Sequence, residues 1–211
     1  MLLDLKNIPA IFINLEQDLD KGTKTKQVLQ QLGFSSIYRS AATLGHHVNW
    51  SINKWEDPAY ASACTKSFIS AFSLLEAPFI VFEDDILANG NINLIMDIPD
   101  DADVIYLGGS RIGIDSPEAV IGKPFVKSHN KSKYKNYYVP RGMLSAHAIL
   151  VLNERAKEII VNSFKNNPNM IQDMTLARLQ FGSELNFYGI YPPMFCQEFE
   201  ESTLNFTSLD D

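Results

Sequence analysis

Short apolar, β-branched runs alternate with helical stretches along this 211-residue chain, and that alternation restricts the fold more than any single motif. Ile8-Pro-Ala-Ile-Phe-Ile-Asn-Leu15, Ser36-Ile-Tyr-Arg-Ser-Ala41, Phe79-Ile-Val-Phe82, Val104-Ile-Tyr-Leu-Gly-Gly109, Ala146 to Leu152 and Asn186 to Tyr191 read as strands. Between them, Gly22 to Leu32 places Val28, Leu29 and Leu32 on one helical face and stops at Gly33. Asp57-Pro58 supplies an N-cap and a proline at the first helical position. Ala61, Cys64, Phe68, Ala71, Phe72 and Leu75 then recur at helical spacing as far as Ala77-Pro78. Asn153 caps a helix to about Phe164, and a last helix runs from about Asn169 to Phe181, stopped by Gly182. The polar stretch from Thr43 to Asp57 and residues 110 to 142 read as loops. The expectation is an α/β protein: a central, mostly parallel mixed sheet flanked by helices, in one domain over 1–211 without repeat or linker.

Composition narrows the partners. With 18 basic against 25 acidic residues the formal charge is −7, a poor match for duplex nucleic acid or an anionic membrane. Small anions stay open, because backbone amides and a metal bind phosphate without net positive charge. No apolar run approaches the ~18–20 residues of a membrane helix. The opening Met1-Leu-Leu-Asp-Leu-Lys has charges scattered through it, unlike a signal peptide, so a cytoplasmic protein is expected. Cys64 and Cys196 are expected to be reduced thiols, and the N-x-S/T triplets at Asn49, Asn130 and Asn205 to be chance.

In α/β sheets ligands bind beyond the carboxyl ends of the strands. That edge holds Asn14, Gly108-Gly109 and, directly after four apolar residues, Glu83-Asp84-Asp85. Three adjacent carboxylates repel one another, and burial raises their pKa values unless a cation sits among them. Alternation along a strand puts Glu83 and Asp85 on one face and Asp84 on the other. A hard ion such as Mn²⁺ or Mg²⁺ takes one or two such oxygens and lets phosphate complete its shell. The alternative is a solvated strand end capping its own turn. A two-component receiver domain, which also ends a strand in acids, is excluded: the next strand-associated acid, Asp103, comes too soon and precedes its strand.

The triplet belongs to a longer series. Ile13-Asn14-Leu15 with Asp18 and Asp20, Ala63-Cys-Thr-Lys-Ser67, Phe82-Glu-Asp-Asp-Ile86, Ser145 to Ile160, Asp173, Tyr191-Pro192-Pro193 and Gln197 follow one another in this order. In that order they resemble the lipooligosaccharide and procollagen galactosyltransferase family, GT-A enzymes with an Asp-x-Asp-like motif, over about residues 8 to 200. In size the chain also resembles the first glycosyltransferase domain of the multidomain glycan-synthesis proteins of large algal viruses, which would make it a viral protein of the host cytoplasm. Lys21 stands where the family usually has Arg, and Phe68 follows Ser67 where the family has His, which leaves the donor open.

The resemblance implies a GT-A glycosyltransferase, a hexosyl- or deoxyhexosyltransferase. It would move a sugar from a nucleoside diphosphate, with UDP-sugar the expected donor, to a glycan hydroxyl, using Mn²⁺ or Mg²⁺. About 1–109 would form the nucleotide-sugar half and about 110–211 the acceptor half. Ile13, Asn14 and Leu15 would lie against the nucleobase and ribose, with Ser40 as a second wall and Lys66 reaching the diphosphate. Asp85 is the expected metal ligand, Glu83 assists it or bonds nearby backbone, and Asp84 holds the ribose or donor sugar. Asp173 is the candidate catalytic residue at the acceptor hydroxyl, as general base in an inverting enzyme or as stabiliser of an oxocarbenium-like transition state in a retaining one. Arg141, His147 and the Tyr134-to-Tyr138 cluster are candidates for acceptor contacts. GT-A enzymes often recruit a late histidine ligand, but His46, His47, His129 and His147 all precede residue 150. For Asn14, Lys66, Asp173, His147 and the tyrosines the residues alone leave a purely structural reading open. The competing class is a non-catalytic module that binds a nucleotide sugar or glycan. A metal-dependent phosphohydrolase would need further clustered acids or histidines.

Overall fold

A computed structural model describes residues 1–45, 57–109, 130–144 and 146–198. Its centre is an eight-stranded sheet in the order β3-β2-β4-β10-β7-β11-β9-β8. These strands are β2 (Ala10–Asn14), β3 (Ile37–Ala41), β4 (Phe79–Glu83), β7 (Val104–Tyr106), β8 (Asn130–Lys131), β9 (Tyr137–Val139), β10 (Ala148–Val151) and β11 (Phe187–Ile190). β2 lies parallel to both β3 and β4, and β11 parallel to β7. β10 is inserted antiparallel between β4 and β7, with Ala148 opposite Phe82. The carboxyl ends of β3, β2, β4, β7 and β11 therefore share one edge of the sheet. The architecture is the expected α/β layering around a mixed sheet.

Period-two alternation sorts the strand residues between two cores. Ile11, Phe79, Val81, Tyr106, Ile149 and Phe187 face helices α2 (Pro58–Leu74), α3 (Glu154–Asn166) and α4 (Gln172–Leu179). Phe12, Ile80, Phe82, Ile105, Leu150 and Tyr188 face α1 (Leu19–Gln31) and two small sheets. Those pair β1 (Leu2–Asp4) with β6 (Ile95–Asp97), and β5 (Ile86–Ala88) with β12 (Phe195–Gln197). On the α2 side Phe72 sets its edge against Phe79 at 5.2 Å and Phe164 at 6.0 Å. Phe68, the departure from the family pattern, is buried in this cluster.

Local chemistry fixes the helix ends. The Asp57 side chain accepts from Ala59 N at 2.9 Å, with Pro58 following, as its position predicts. Asn153 Oδ1 accepts from Ala156 N at 2.9 Å. Gly33, at φ 88°, closes α1: its N–H reaches Gln30 O while Phe34 N reaches Leu29 O, a Schellman pair. α1 starts earlier than its apolar face suggests, and α4 is shorter than expected, beginning at Gln172 after an Ile171 that offers no side-chain cap.

The loop expected over 110 to 142 requires correction where the chain is described. Asn130–Lys131 and Tyr137–Val139 are strands that extend the sheet beyond β11. Tyr138 is core, 2% exposed, and Tyr134 and Tyr137 set their edges against Tyr188, so this aromatic cluster packs upon the sheet. Cys64 and Cys196 are both unbridged. Among the described residues no helix is long and apolar enough to cross a membrane.

Candidate functional site

Glu83 ends β4, and Asp84 and Asp85 form the turn into β5. The three side chains diverge as alternation predicts. Gln197 Nε2, at the end of β12, donates to Glu83 Oε2 at 3.0 Å and to Asp85 Oδ2 at 3.3 Å. Asp84 points the other way, and its Oδ2 accepts from Asn14 Nδ2 at 2.6 Å. Thr25 of α1 donates to the Asp84 carbonyl at 2.7 Å.

Asn14 is buried at the end of β2 and is fully engaged with protein. Its amide also donates to Asp18 O at 2.9 Å, and its Oδ1 accepts from Arg39 Nε at 2.9 Å. Gly22 is what allows this approach: a Cβ there would lie 2.6 Å from Asn14 Oδ1. Asn14 therefore fixes the acidic turn to the first βα unit. Ile13 is buried in the core facing α2, Leu15 is half-buried, and Ser40 is buried in β3 opposite Ile13. Lys66 is exposed on α2, and Arg141 is exposed with its guanidinium 6.0 Å from the Phe181 ring. His46, His47, His129 and Ser145 lie outside the described residues.

Asp173 comes to this turn from the first turn of α4. Burial pushes its carboxyl up to about 7. Glu83 is raised well above the usual carboxylate range, first by burial and then by Asp173, Asp85 and Asp84, with a hydrogen bond from Gln172 opposing. Burial and Asp84 raise Asp85, while Gln197 and the Lys21 ammonium pull it down. Asp85 Oδ1, Asp173 Oδ1 and Gln172 Oε1 are buried without a hydrogen-bond partner. Unpaired buried carboxylate oxygens are costly, and they call for a proton or a cation.

The donor set suits a hard cation: carboxylate oxygens, one of them on Asp85 left unpartnered. Among the described residues no three His, Cys, Asp or Glu side chains form a group that would hold an ion. The protein's share would thus be one or two oxygens, the mode in which Mg²⁺ is commonly held together with substrate phosphate. Beside the turn lies a cavity of about 200 Å³ lined by Lys24, Thr25, Val28, Asp84, Asp85 and Glu198. A larger open cleft of about 610 Å³ follows the start of α1 past Asp18, Asp20, Lys21 and Lys24.

His147 is buried just before β10 and serves the frame of the site. Its carbonyl accepts from Glu83 N at 3.1 Å, and its Nε2 lies 3.4 Å from Phe195 O. Burial drives the imidazole down to about 4, so it is neutral at pH 7. The glycine at the end of β7 follows from this: a Cβ on Gly108 would stand 2.0 Å from His147 Nε2.

Three residues enter the site with no role assigned from sequence, although Gln197 closes the family-like series and Lys21 stands at the family's Arg position. Gln197, Gln172 and Lys21 meet the carboxylates only through the fold. Tyr60 of α2 is another: its hydroxyl is pushed up by burial, by Cys64 and by the Glu83 charge.

No family model matches the chain, and no curated protein matches it. Among solved structures it is similar to a glycosyltransferase involved in the glycosylation of the major capsid of PBCV-1. That likeness covers 93% of this chain and 94% of the other, at 11% sequence identity and a TM-score of 0.47. So distant a likeness identifies neither substrate nor reaction, and the chemistry of the site has to speak for itself.

Proposed function

We propose that the protein is a GT-A-type glycosyltransferase that takes a nucleoside-diphosphate sugar, with UDP-sugar the expected donor, and passes the sugar to a glycan hydroxyl. The observation that carries this reading is the pairing of two buried, unpartnered carboxylate oxygens, Asp85 Oδ1 and Asp173 Oδ1, on two elements that both press charge on Glu83. On this reading Asp85 holds the donor diphosphate through a cation and Asp173 meets the acceptor.

Asp85, with Glu83 beside it, would hold Mn²⁺ or Mg²⁺, whose chemistry when bound is Lewis-acid neutralisation of the leaving diphosphate. Lys21 adds a positive charge close to Asp85, facing the α1 cleft where phosphate would lie. Asn14 keeps Asp84 fixed to the first βα unit, so the turn meets the donor without rearranging. Asp173 contacts the acceptor hydroxyl and takes its proton as the hydroxyl oxygen bonds to the anomeric carbon and the diphosphate departs. A carboxyl raised to about 7 is a better base near neutrality than an ordinary one.

The test is calorimetric titration with UDP, with and without Mn²⁺, on the parent and on Asp85→Ala. Binding that needs both the ion and Asp85, followed by donor turnover that Asp173→Asn abolishes, is the expected result. Binding without turnover on any acceptor would indicate a non-catalytic module. Failure to bind UDP or any other nucleotide sinks the transferase reading.

A further inference from the structure

We infer that Gln197 is a positioning residue for the acidic turn: its amide holds Glu83 and Asp85 together and turns Asp85 so that Oδ1 is left for the ligand. The use of that oxygen rests on the reading above; the holding of the pair does not.

A glutamine amide has two protons to give. Here one goes to Glu83 Oε2 at 3.0 Å and the other to Asp85 Oδ2 at 3.3 Å. The two acceptors belong to like-charged groups on one face, and a shared donor offsets their repulsion without cancelling the charge. A lysine in the same place would neutralise the pair and compete with a cation; an amide orients and leaves the negative charge intact. With Oδ2 held, Asp85 presents one oxygen whose direction is set and whose hydrogen-bonding capacity is unused.

The strand that carries Gln197 is itself fixed. β12 pairs with β5 so that Gln197 stands opposite Ile86, and Glu198 N donates to Asp85 O at 2.5 Å. Met194 N and Phe195 N both reach Leu107 O, at 2.8 and 3.2 Å, and Phe195 bridges to Gly108. His147 Nε2 lies near the Phe195 carbonyl on the buried side. The amide is therefore delivered by backbone anchored to β5 and to the end of β7. It sets the carboxylates rather than following them.

The experiment uses the full chain with Gln197→Met, which keeps the length of the side chain and removes both donors, and Gln197→Asn as a shorter polar control. A double-mutant cycle in urea compares the Met variant in the parent with the same change in a Glu83→Gln, Asp85→Asn background. The expected loss in the folding constant is about tenfold or more in the parent and about threefold or less in the neutral background. Equal losses would mean that Gln197 only packs, and would overturn the inference. Mn²⁺ with UDP is then titrated into the folded variants. Affinity about tenfold or more below the parent is expected for Met, with Asn no better than partial rescue; unchanged affinity overturns the orienting role. A parent that binds neither ion nor nucleotide overturns the donor reading, and the hold on the pair is then decided by the cycle alone.

Discussion

Asn14 Nδ2 and Asp84 Oδ2 lie 2.6 Å apart across 70 residues of sequence, and through them the end of β2 grips the turn after β4. Asn14→Ala strips the half-buried Asp84 carboxylate of this donor and the exposed Arg39 of one of its two acceptors on Asn14. The expected cost is about 2–3 kcal/mol, read from urea denaturation with an unchanged slope. Asn14→Asp should cost more, since it sets a carboxylate against Asp84. A loss within about 0.5 kcal/mol for the alanine variant would show that the network holds nothing.

Gly108→Ala should destabilise by about 1–3 kcal/mol, because the new methyl meets the buried His147 ring and that ring has no room to retreat. Thermal denaturation in a His147→Ala background should recover part of this loss. The same cost in both backgrounds would place the strain elsewhere.

The buried titrating groups pull stability in opposite directions with pH. His147 is lowered from 6.5 to about 4, so the unfolded chain binds its proton more readily in that window. Its contribution is complete above 6.5 and is lost as pH falls, by about 3 kcal/mol over the whole window. Asp173 is raised from 3.8 to about 7, so the folded chain binds the extra proton. Its contribution is present below 3.8 and is lost as pH rises to about 7. Relative to the metal-free parent, Asp173→Asn should gain stability as pH rises from 4 to 7, and His147→Leu should gain as pH falls from 6.5 to 4. Measured across the window, two differences of the same slope would contradict one of these assignments.

Phe72→Ala should cost about 3–5 kcal/mol, since the ring is fully buried, meets Phe79 and Phe164 edge-on and lies tilted against Phe68. The cluster lies within the layer between sheet and helices. At a temperature where the variant stays folded, it should keep whatever affinity the parent shows for the proposed UDP donor, and a large loss would tie the aromatic layer to the site.

What the sequence made legible follows from locality. Asp57-Pro58 and Asn153 mark their helices because a cap is written within three residues of the turn it closes. The divergence of Glu83 and Asp85 from Asp84 was readable because a strand has period two. β1, β5, β6 and β12 were not, since three residues show no period and their pairing is distant, as with Cys196 opposite Leu87. The same distance hid Gln197's contact with the carboxylates and Lys21's charge on Asp85. Tyr137 and Tyr138 were masked differently: they stand among Lys, Ser and Asn residues that read as loop, and the sheet edge beyond β11 recruits them.

The insertion of β10 against the direction of its neighbours has a consequence for how such a protein can diversify. β4 leaves the sheet at the crevice, whereas β10 enters it there, with Ala148 beside Phe82. Chain leading into β10 therefore arrives at the crevice from the second half of the sequence, and the acidic turn departs from the first half. Met143, Ala146 and His147 of that lead-in are buried, and His147 O accepts from Glu83 N, so a substitution there in the second half of the sequence reaches the acidic turn of the first half through the backbone ladder.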